Sequence, residues 1–144
     1  MNFIEFETAQ KLRGGFYTQP SIASFLARWV KISKPKSILE PSCGDGAFLA
    51  AIEELWIPSL KQITACELND EEAAKANART NLPLKMQRTD FLRWYLFFAQ
   101  NEGGFDAVVG NPPFIRYQYL PTEQQLLAKK IFDQLRLPLS LIHI

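Results

Sequence analysis

Four residues suited to ligand binding recur along this 144-residue chain at intervals of about one strand–helix unit. They are Gly44, Glu67, Asp90 and Asn111, and each stands at or just beyond the end of a short apolar run. The carboxyl ends of parallel strands meet at one edge of a sheet, and ligands of such sheets bind beyond that edge. One glycine, two carboxylates and one amide on the same rim therefore predict an extended ligand-binding crevice.

The segments that must position these residues alternate between strand and helix patterns. We expect a short helix or arm in residues 1–12, a helix capped by Ser21 and a last helix capped by Thr122. Strands are predicted at the end of "KPKSILE", where a linker leads into a short apolar strand that ends at Glu40, and in "KQITACEL", "LKMQRTDF" and "FDAVVG". The helices between them are predicted in "AFLAAIEEL", "NDEEAAKANART" and "LRWYLFFAQ". This alternation is typical of an α/β fold with a mainly parallel sheet and helices on both of its faces.

The segment "EPSCGDG", residues 40–46, predicts a tight turn between the first strand and the next helix. Its glycines would let a ligand approach the backbone, and free N–H groups at a helix N-terminus favour an anionic group. Leu49 occupies the third glycine position of the dinucleotide-binding pattern, which disfavours a tightly packed pyrophosphate. An ordinary glycine-rich turn is the alternative interpretation.

Two acids further along could recognise a nucleoside. Glu67 can accept hydrogen bonds from both ribose hydroxyls. Asp90 can accept one from an exocyclic amine, with Phe91 on the face of an adenine ring. Helix capping is the alternative for each acid, although Asn69 and Asp70 are available for that role after the second strand.

The loop "GFYTQP", residues 15–20, could hold a charged tail of the same ligand. The Thr18 hydroxyl and neighbouring N–H groups could bind a carboxylate, and a plain helix-entry loop is the alternative. A ribose, an adenine and a charged tail without a second nucleotide match S-adenosylmethionine.

The segment "GNPPF", residues 110–114, forms a rigid elbow after the fourth predicted strand, because its two prolines remove two backbone donors. An aryl amine is a poor nucleophile, and two fixed acceptors for its hydrogens would favour a pyramidal nitrogen. The Asn111 side-chain oxygen and the Pro112 carbonyl could be those acceptors. Phe114 offers a ring against which an extruded base could stack. A structural turn is the alternative.

Composition excludes few classes of protein. Hydrophobic residues make up 47% and charged residues 22%, the net charge is +1, and no apolar run is long enough to cross a membrane. The N-terminus lacks a signal-peptide core, which favours a cytoplasmic protein. Cys43 and Cys66 have no metal-ligand spacing and are interpreted as buried thiols, so we expect no metal site.

The final residues, "LSLIHI" at positions 139–144, match the translation of a transposon end used in sequencing libraries. We therefore expect residues 139–144 to be an adapter-derived, non-native tail, and residues 1–138 to be the natural part. A short natural apolar tail is the alternative. If the tail is not native, His143 has no function.

With these motifs in place, the chain resembles the adenine-specific (N6) DNA methyltransferases of restriction-modification systems over roughly residues 13–120. "GFYTQP" resembles that family's N-terminal methionine-binding motif, "ILEPSCGDGAFL" its main cofactor loop and "GNPPF" its catalytic motif. Gln19 departs from the family, in which Thr often runs directly into Pro. The resemblance implies a Rossmann-like S-adenosylmethionine-dependent methyltransferase fold that is truncated here after its fourth strand.

The resemblance also implies roles for individual residues. The methionine portion would contact Thr18 and the turn at Cys43–Gly46, the ribose Glu67, and the cofactor adenine Asp90 and Phe91. The implied catalytic residues, which would hold the target base, are Asn111, Pro112, Pro113 and Phe114. The implied cofactor-binding residues are Phe16, Tyr17, Thr18, Glu40, Pro41, Cys43, Gly44, Asp45, Gly46, Glu67, Leu68, Asp90, Phe91 and Asn111.

By resemblance, the partner of the full-length protein is double-stranded DNA with a flipped adenine, and no membrane is involved. A sheet that ends at its fourth strand leaves an unpaired edge and uncovered apolar helix faces. We therefore expect the isolated chain to be weakly stable or aggregation-prone and to methylate no DNA. The alternatives are a methyltransferase of a protein glutamine or an RNA base, and a non-catalytic cofactor-binding domain.

Overall fold

Four parallel strands form one sheet in the computed structural model, which describes residues 17–139. The strand order is β3-β2-β1-β4, and Ile38 lies opposite Ile63 on one side and Ala107 on the other. The strands are β1 (Ser37–Glu40), β2 (Gln62–Cys66), β3 (Leu84–Gln87) and β4 (Ala107–Val108). The predicted α/β fold with a parallel sheet is therefore confirmed.

The strand order places a topological switch point between β1 and β4. The chain moves outward from β1 through β2 to β3 and then returns to pair β4 with the other side of β1. Crevices of open α/β sheets lie at such a point, beyond the carboxyl ends of the strands. Gly44, Glu67, Asp90 and Asn111 follow β1, β2, β3 and β4 in turn, so the predicted common rim is confirmed.

The strands β2, β3 and β4 are shorter than the sequence pattern predicted, and the difference is larger for β3 and β4. β3 ends at Gln87, whose carbonyl accepts a 3.0 Å hydrogen bond from the Thr89 N–H in a turn. β4 contains two residues, and the Val109 N–H then donates to the Leu39 carbonyl at 3.0 Å. The prolines at 112 and 113 have no N–H groups with which to continue the ladder.

The first four described helices begin and end close to the predicted positions. They are α1 (Pro20–Ile32), α2 (Ala47–Leu55), α3 (Asp70–Ala78) and α4 (Phe91–Phe97). The prediction that Ser21 caps α1 is wrong, because α1 begins at Pro20 and Gln19 occupies the N-cap position. Proline is pre-organised for the first helical position and needs no N–H there.

The N-terminus of α3 is capped by a side chain. The Asn69 side-chain oxygen accepts hydrogen bonds from the N–H groups of Glu71 and Glu72, at 2.9 and 3.1 Å. Three acids occupy the first turn, where the helix dipole favours negative charge. Asn69 rather than Glu67 is therefore the capping residue, which leaves the Glu67 carboxylate for another role.

The hydrophobic core around the sheet lies between the sheet and the inward faces of α1 and α2. Small residues of α1, Ala23 and Ala27, are fully buried and allow close packing of Phe48 and Leu49 on α2. The opposite face of α1 is apolar but exposed, and its residues are Ile22, Phe25, Trp29 and Ile32. An uncovered apolar helix face, as predicted, is therefore present.

The described chain divides into two compact units, and the sheet belongs to the unit Tyr17–Phe91 with Gly103–Pro112. The second unit includes Leu92–Glu102 and the residues from Pro113 onward. It contains most of α4, short 3-10 turns at Ala99–Asn101 and Tyr117–Tyr119, and α5 (Thr122–Gln134).

Within the second unit, Arg93 forms a salt bridge with Glu123, and the Gln125 side-chain amide donates to the Tyr117 carbonyl at 3.1 Å. The prediction that Thr122 caps α5 is wrong, because Thr122 is the first helical residue and follows Pro121. No helix within residues 17–139 is both long and apolar enough to cross a membrane.

Candidate functional site

The turn after β1 is held in place by backbone hydrogen bonds. The Cys43 N–H donates to the Cys66 carbonyl at 3.0 Å, which joins the turn to the end of β2. The Gly46 N–H donates to the Cys43 carbonyl at 2.9 Å, which closes the turn. Gly44 and Gly46 have φ values of +53° and +88°, a left-handed conformation that favours glycine.

The two glycines of this turn serve different purposes. A Cβ atom at Gly46 would lie 2.9 Å from the Cα atom of Ala76, so Gly46 permits close packing of the turn against α3. A Cβ atom at Gly44 would meet no atom within 4 Å, so this backbone faces open space. Gly44 is therefore the position at which a ligand can approach the turn.

The Glu67 carboxylate links the glycine turn to the start of α3. One oxygen accepts a 2.9 Å hydrogen bond from the Gly44 N–H, and the other accepts a 2.8 Å bond from the Asn69 N–H. The side chain is partly buried and fixed in orientation at the carboxyl end of β2. A fixed carboxylate beside an accessible glycine suits the recognition of paired hydroxyl groups.

Asp45 is directed to a different partner. Its carboxylate forms a 2.8 Å salt bridge with Arg79, which follows the last residue of α3. This ion pair and the close approach of Gly46 to Ala76 both join the turn to α3. The sequence motif contained Asp45 but gave no indication of the Arg79 contact.

Glu40, the last residue of β1, is fully buried. Neither of its carboxylate oxygens has a hydrogen-bond partner among the described residues. Burial, together with the nearby charges of Asp45 and Glu67, raises the pKa of Glu40 well above its ordinary value. The hydroxyl of Ser42, two residues further along, is also buried without a partner in this part of the chain.

The two cysteines are buried thiols in the same region. Burial raises the pKa of Cys66 to about 12, and the charges of Asp90 and Glu67 act in the same direction. Burial also raises the pKa of Cys43, and Glu40 adds to the effect. Both side chains are therefore neutral thiols at physiological pH, as predicted from the sequence.

The structure brings the Thr18 loop and the proline elbow together. The Asn111 side-chain N–H donates to the Thr18 hydroxyl at 3.3 Å, although the two residues are 93 positions apart. This bond fixes the amide with its nitrogen towards Thr18, so its oxygen is left available for another donor. The contact connects residues that the sequence analysis had assigned to separate tasks.

A cavity of about 450 Å³ lies beside this contact. Its lining residues come from the Thr18 loop, the first half of α1, the start of α2 and the end of β4. They are Tyr17, Thr18, Gln19, Ile22, Leu26, Phe48, Gly110 and Asn111. Ile22, Leu26 and Phe48 were not predicted as lining residues, because their helical spacing indicates only packing.

The remaining predicted residues have the following positions. Leu68 is exposed beside Glu67, whereas Asp90 and Phe91 are partly buried beyond β3. Pro41 packs against Gly110, where an added Cβ atom would lie 3.3 Å from the Pro41 Cδ atom.

The residues predicted to form the catalytic motif fall into different units. Pro112 belongs to the sheet unit, whereas Pro113 and Phe114 belong to the second unit, in which Phe114 is 77% exposed. Phe16 lies outside the described residues. Within residues 17–139, no group of three or more His, Cys, Asp or Glu side chains is arranged to hold a metal ion.

Comparison with solved structures identifies the class of fold. An O-methyltransferase from Bacillus cereus in complex with SAH has a TM-score of 0.58 at 20% identity, and the match covers 88% of this chain and 58% of the chain of that enzyme. A modification subunit assigned to a type I restriction enzyme from Vibrio vulnificus YJ016 has a TM-score of 0.55 at 19% identity. It covers 83% of this chain and 30% of its own. The sheet and glycine turn thus have the Rossmann-like fold of methyltransferases.

The family follows from the sequence. The model of the Eco57I restriction-modification methylase family matches residues 11–136, so the chain belongs to that family. Type II methyltransferase M.HincII of Haemophilus influenzae is 27% identical over 120 residues, covering 83% of this chain and 20% of its own. Modification methylase CviBIII of Paramecium bursaria Chlorella virus NC1A is 34% identical over 80 residues, and the match covers 55% of this chain and 19% of that protein. The chain therefore spans about a fifth of the length of these relatives.

Proposed function

We propose that this chain is the N-terminal, cofactor-binding part of an S-adenosylmethionine-dependent adenine-N6 DNA methyltransferase of a restriction-modification system. The observation that carries the proposal is the Asn111–Thr18 hydrogen bond of 3.3 Å at the switch point of the sheet. It joins the proline elbow to the loop beside the cavity. Membership of the Eco57I restriction-modification methylase family and the relatives' names support the same reaction class.

The residues around the glycine turn fit S-adenosylmethionine. Gly44 leaves its backbone open to a ligand, and Glu67 provides a fixed carboxylate for the ribose hydroxyls. Asp90 and Phe91 receive the adenine beyond β3. The cavity beside Thr18 receives the methionine portion. When bound, the cofactor supplies an electrophilic methyl group on its sulfonium.

The elbow activates the acceptor amine. The Asn111 amide is oriented by Thr18, so its oxygen can accept one N–H of the adenine amine, and the Pro112 carbonyl can accept the other. Two acceptors held rigidly by neighbouring prolines favour a pyramidal nitrogen whose lone pair can attack. Phe114 stacks on the flipped base. The amine loses its proton after transfer, so no general base is required before it. We place this reaction in the cytoplasm.

The isolated chain is insufficient for this reaction. Four side chains on the outer face of α1 are 50–78% exposed, and β4 pairs only with β1 among the described strands. Val108 on β4 is 62% exposed. These apolar surfaces and the open sheet edge favour aggregation of the isolated chain. We expect no methyl transfer from labelled cofactor to unmethylated plasmid by the 144-residue chain.

The test uses the uninterrupted gene from which this chain derives. DNA from cells that express it is digested to nucleosides and analysed by mass spectrometry, and we expect N6-methyladenine. The Asn111→Ala variant should lose transfer and keep cofactor binding, whereas Asn77→Ala on the exposed face of α3 should behave as wild type.

Three outcomes of this test would contradict the proposal. Methylated cytosine in the DNA would overturn the adenine assignment. A methylated protein glutamine or RNA base with unmodified DNA would overturn the DNA assignment. Unchanged transfer by Asn111→Ala would overturn the role of the elbow.

A further inference from the structure

An exposed arginine follows the proline elbow in a segment that has no role in the proposed reaction. Exposure alternates along this segment, because Phe114 and Arg116 are exposed, whereas Ile115 and Tyr117 are half-buried. The Arg116 guanidinium has no salt bridge and no hydrogen-bond partner within residues 17–139. A guanidinium group offers a planar set of N–H donors that matches the oxygens of a phosphate. Arg116 therefore has the chemistry and the exposure of a phosphate contact.

The backbone around Arg116 is held in place by Gln125 of α5. The Gln125 side-chain amide donates to the Tyr117 carbonyl at 3.1 Å and to the Leu120 carbonyl at 2.9 Å. The Gln125 carbonyl accepts a 3.2 Å hydrogen bond from the Tyr117 hydroxyl. The Tyr119 N–H donates to the Arg116 carbonyl at 2.8 Å, which closes the turn. A fixed backbone loses less entropy when a ligand binds, so this turn is prepared for a contact.

The unit that contains Arg116 carries the excess positive charge of the described chain. Its described residues include five basic and three acidic ones, whereas the sheet unit has nine basic and ten acidic ones. Glu123, the acid nearest to Arg116 along the chain, is paired with Arg93. An excess of positive charge beside an unpaired arginine favours a polyanionic partner, and the phosphate backbone of DNA is such a partner.

Arg116 is also close along the chain to the residue that is proposed to stack on the target base. Phe114 precedes it by two residues, and two residues span at most about 7 Å. The phosphates on either side of the target nucleotide are the charged groups nearest to a base stacked on Phe114. Contacts to phosphates fix the position of DNA on a protein without reading its sequence.

From this we infer that Arg116 binds a phosphate that flanks the target adenine in duplex DNA. The inference rests on the proposed function, because it takes DNA as the substrate. It goes further because it assigns a DNA-binding residue outside the catalytic motif. It also separates the positioning of the DNA strand, by Arg116, from the activation of the amine, by Asn111.

The experiment uses the full-length protein expressed from the uninterrupted gene and a labelled duplex that contains the site methylated in the expressing cells. Fluorescence anisotropy gives the affinity at several salt concentrations. Arg116→Gln should weaken binding at least about tenfold, the effect of one hydrogen bond to a charged group. The slope of log affinity against log salt concentration should become less steep by about 0.9, the value for one phosphate contact.

Two further variants serve as controls for this measurement. Arg116→Lys keeps the charge and should keep the salt slope of wild type. Arg28→Gln removes an exposed arginine of α1 and should bind as wild type does. Circular dichroism should show that all three variants are folded, since neither arginine has a partner within residues 17–139.

Steady-state methylation distinguishes a DNA contact from a catalytic role. Arg116→Gln should raise the KM for DNA about tenfold and leave kcat close to that of wild type, because the contact exists before and during transfer. Asn111→Ala should instead lose kcat. A loss of kcat without a change of KM in Arg116→Gln would contradict the inference.

Duplexes with one neutral phosphate locate the contact. Each of the two phosphates beside the target adenine is replaced in turn by a methylphosphonate. One of the two replacements should weaken binding by wild type and have no further effect on Arg116→Gln, because both changes remove the same interaction.

The outcomes separate this inference from the proposed function. An unchanged salt slope in Arg116→Gln would overturn the inference about Arg116 alone, and so would additive effects of the variant and both modified duplexes. Wild type would still methylate the duplex in either case. Absence of N6-methyladenine from the DNA of the expressing cells would show that the proposed function is wrong, and the inference would fall with it.

Discussion

Replacement of Gly46 by alanine tests the packing of the cofactor turn against α3. The residue has a φ of +88°, and an added Cβ atom would lie 2.9 Å from the Ala76 Cα atom. A left-handed non-glycine residue costs about 1–2 kcal/mol. Overpacking against atoms that must shift costs about a further 1–3 kcal/mol. Because the neighbouring atom is backbone, it cannot rotate away. After an offset of about 0.4–1 kcal/mol from the reduced entropy of the unfolded chain, the free energy of unfolding should fall by roughly 1–4.5 kcal/mol.

Gly44→Ala is the matched control in the same turn. Its φ is +53° and no atom lies within 4 Å of the added Cβ position, so only the conformational cost applies. That cost is about 1–2 kcal/mol, and reduced entropy of the unfolded chain offsets about 0.4–1 kcal/mol of it. Gly44→Ala should therefore remain close to wild type in stability and should lose cofactor affinity, because its methyl group occupies the approach of the ligand.

Urea unfolding followed by circular dichroism measures both free energies at one protein concentration. Titration with S-adenosylhomocysteine gives the affinity of each variant that folds. Equal losses of stability in Gly46→Ala and Gly44→Ala would refute the close contact with Ala76. Unchanged affinity in Gly44→Ala would refute the assignment of Gly44 as the open side of the turn.

Three further predictions concern the elements that support the site. Asn69→Ala removes the cap of α3 and should cost about 1 kcal/mol in urea unfolding, whereas Asn77→Ala in the same helix should cost nothing. Lys34 follows α1 with a φ of +48°, so Lys34→Gly should stabilise the chain by about 0.5–1 kcal/mol in the same assay, and a loss would contradict the left-handed conformation. Asp106 accepts backbone N–H bonds of 2.7 and 3.0 Å at the start of β1, and these bonds lower its pKa. The ionised Asp106 carboxylate therefore contributes stability above the ordinary carboxyl pKa, and this contribution is lost as the pH falls through the lowered pKa of Asp106. Asp106→Asn should consequently make the free energy of unfolding less dependent on pH in the acid range, which urea unfolding at several pH values measures.

The order of strands and helices could be predicted from the sequence because local signals agree with the fold. Apolar runs such as "ITAC" are buried on both faces of the sheet, and turn or capping residues such as Asn69 separate them from the helices. The rim of ligand-binding residues followed directly, since parallel strands end on the same side. Local signals were misleading at helix starts, where the position of Pro20 prevailed over the capping preference of Ser21, and at the ends of β3 and β4, which are shorter than predicted.

The contacts within the site could not be predicted, because they depend on where distant elements meet. Both glycines of the turn fit the same motif, and only the position of α3 shows that Gly46 packs while Gly44 stays open. The Asp45–Arg79 salt bridge and the Asn111–Thr18 bond likewise join segments that are far apart along the chain. Within the described residues, the buried Glu40 carboxylate has no hydrogen-bond donor. A strand pattern in the sequence does not indicate whether a buried carboxylate will find a donor.

Equilibrium binding of S-adenosylmethionine to the full-length protein expressed from the uninterrupted gene tests the central claim most directly, with Glu67→Gln and Glu54→Gln measured beside wild type. The Glu67 carboxylate accepts a 2.9 Å hydrogen bond from the Gly44 N–H and is the residue proposed to bind the ribose, whereas Glu54 is exposed on α2. Hydrogen bonds to a charged group contribute about 1.5–3 kcal/mol, so Glu67→Gln should weaken binding at least about tenfold. Glu54→Gln should bind as wild type does. Absence of saturable binding by wild type, or equal affinity in Glu67→Gln, would contradict the claim that this crevice is the cofactor site.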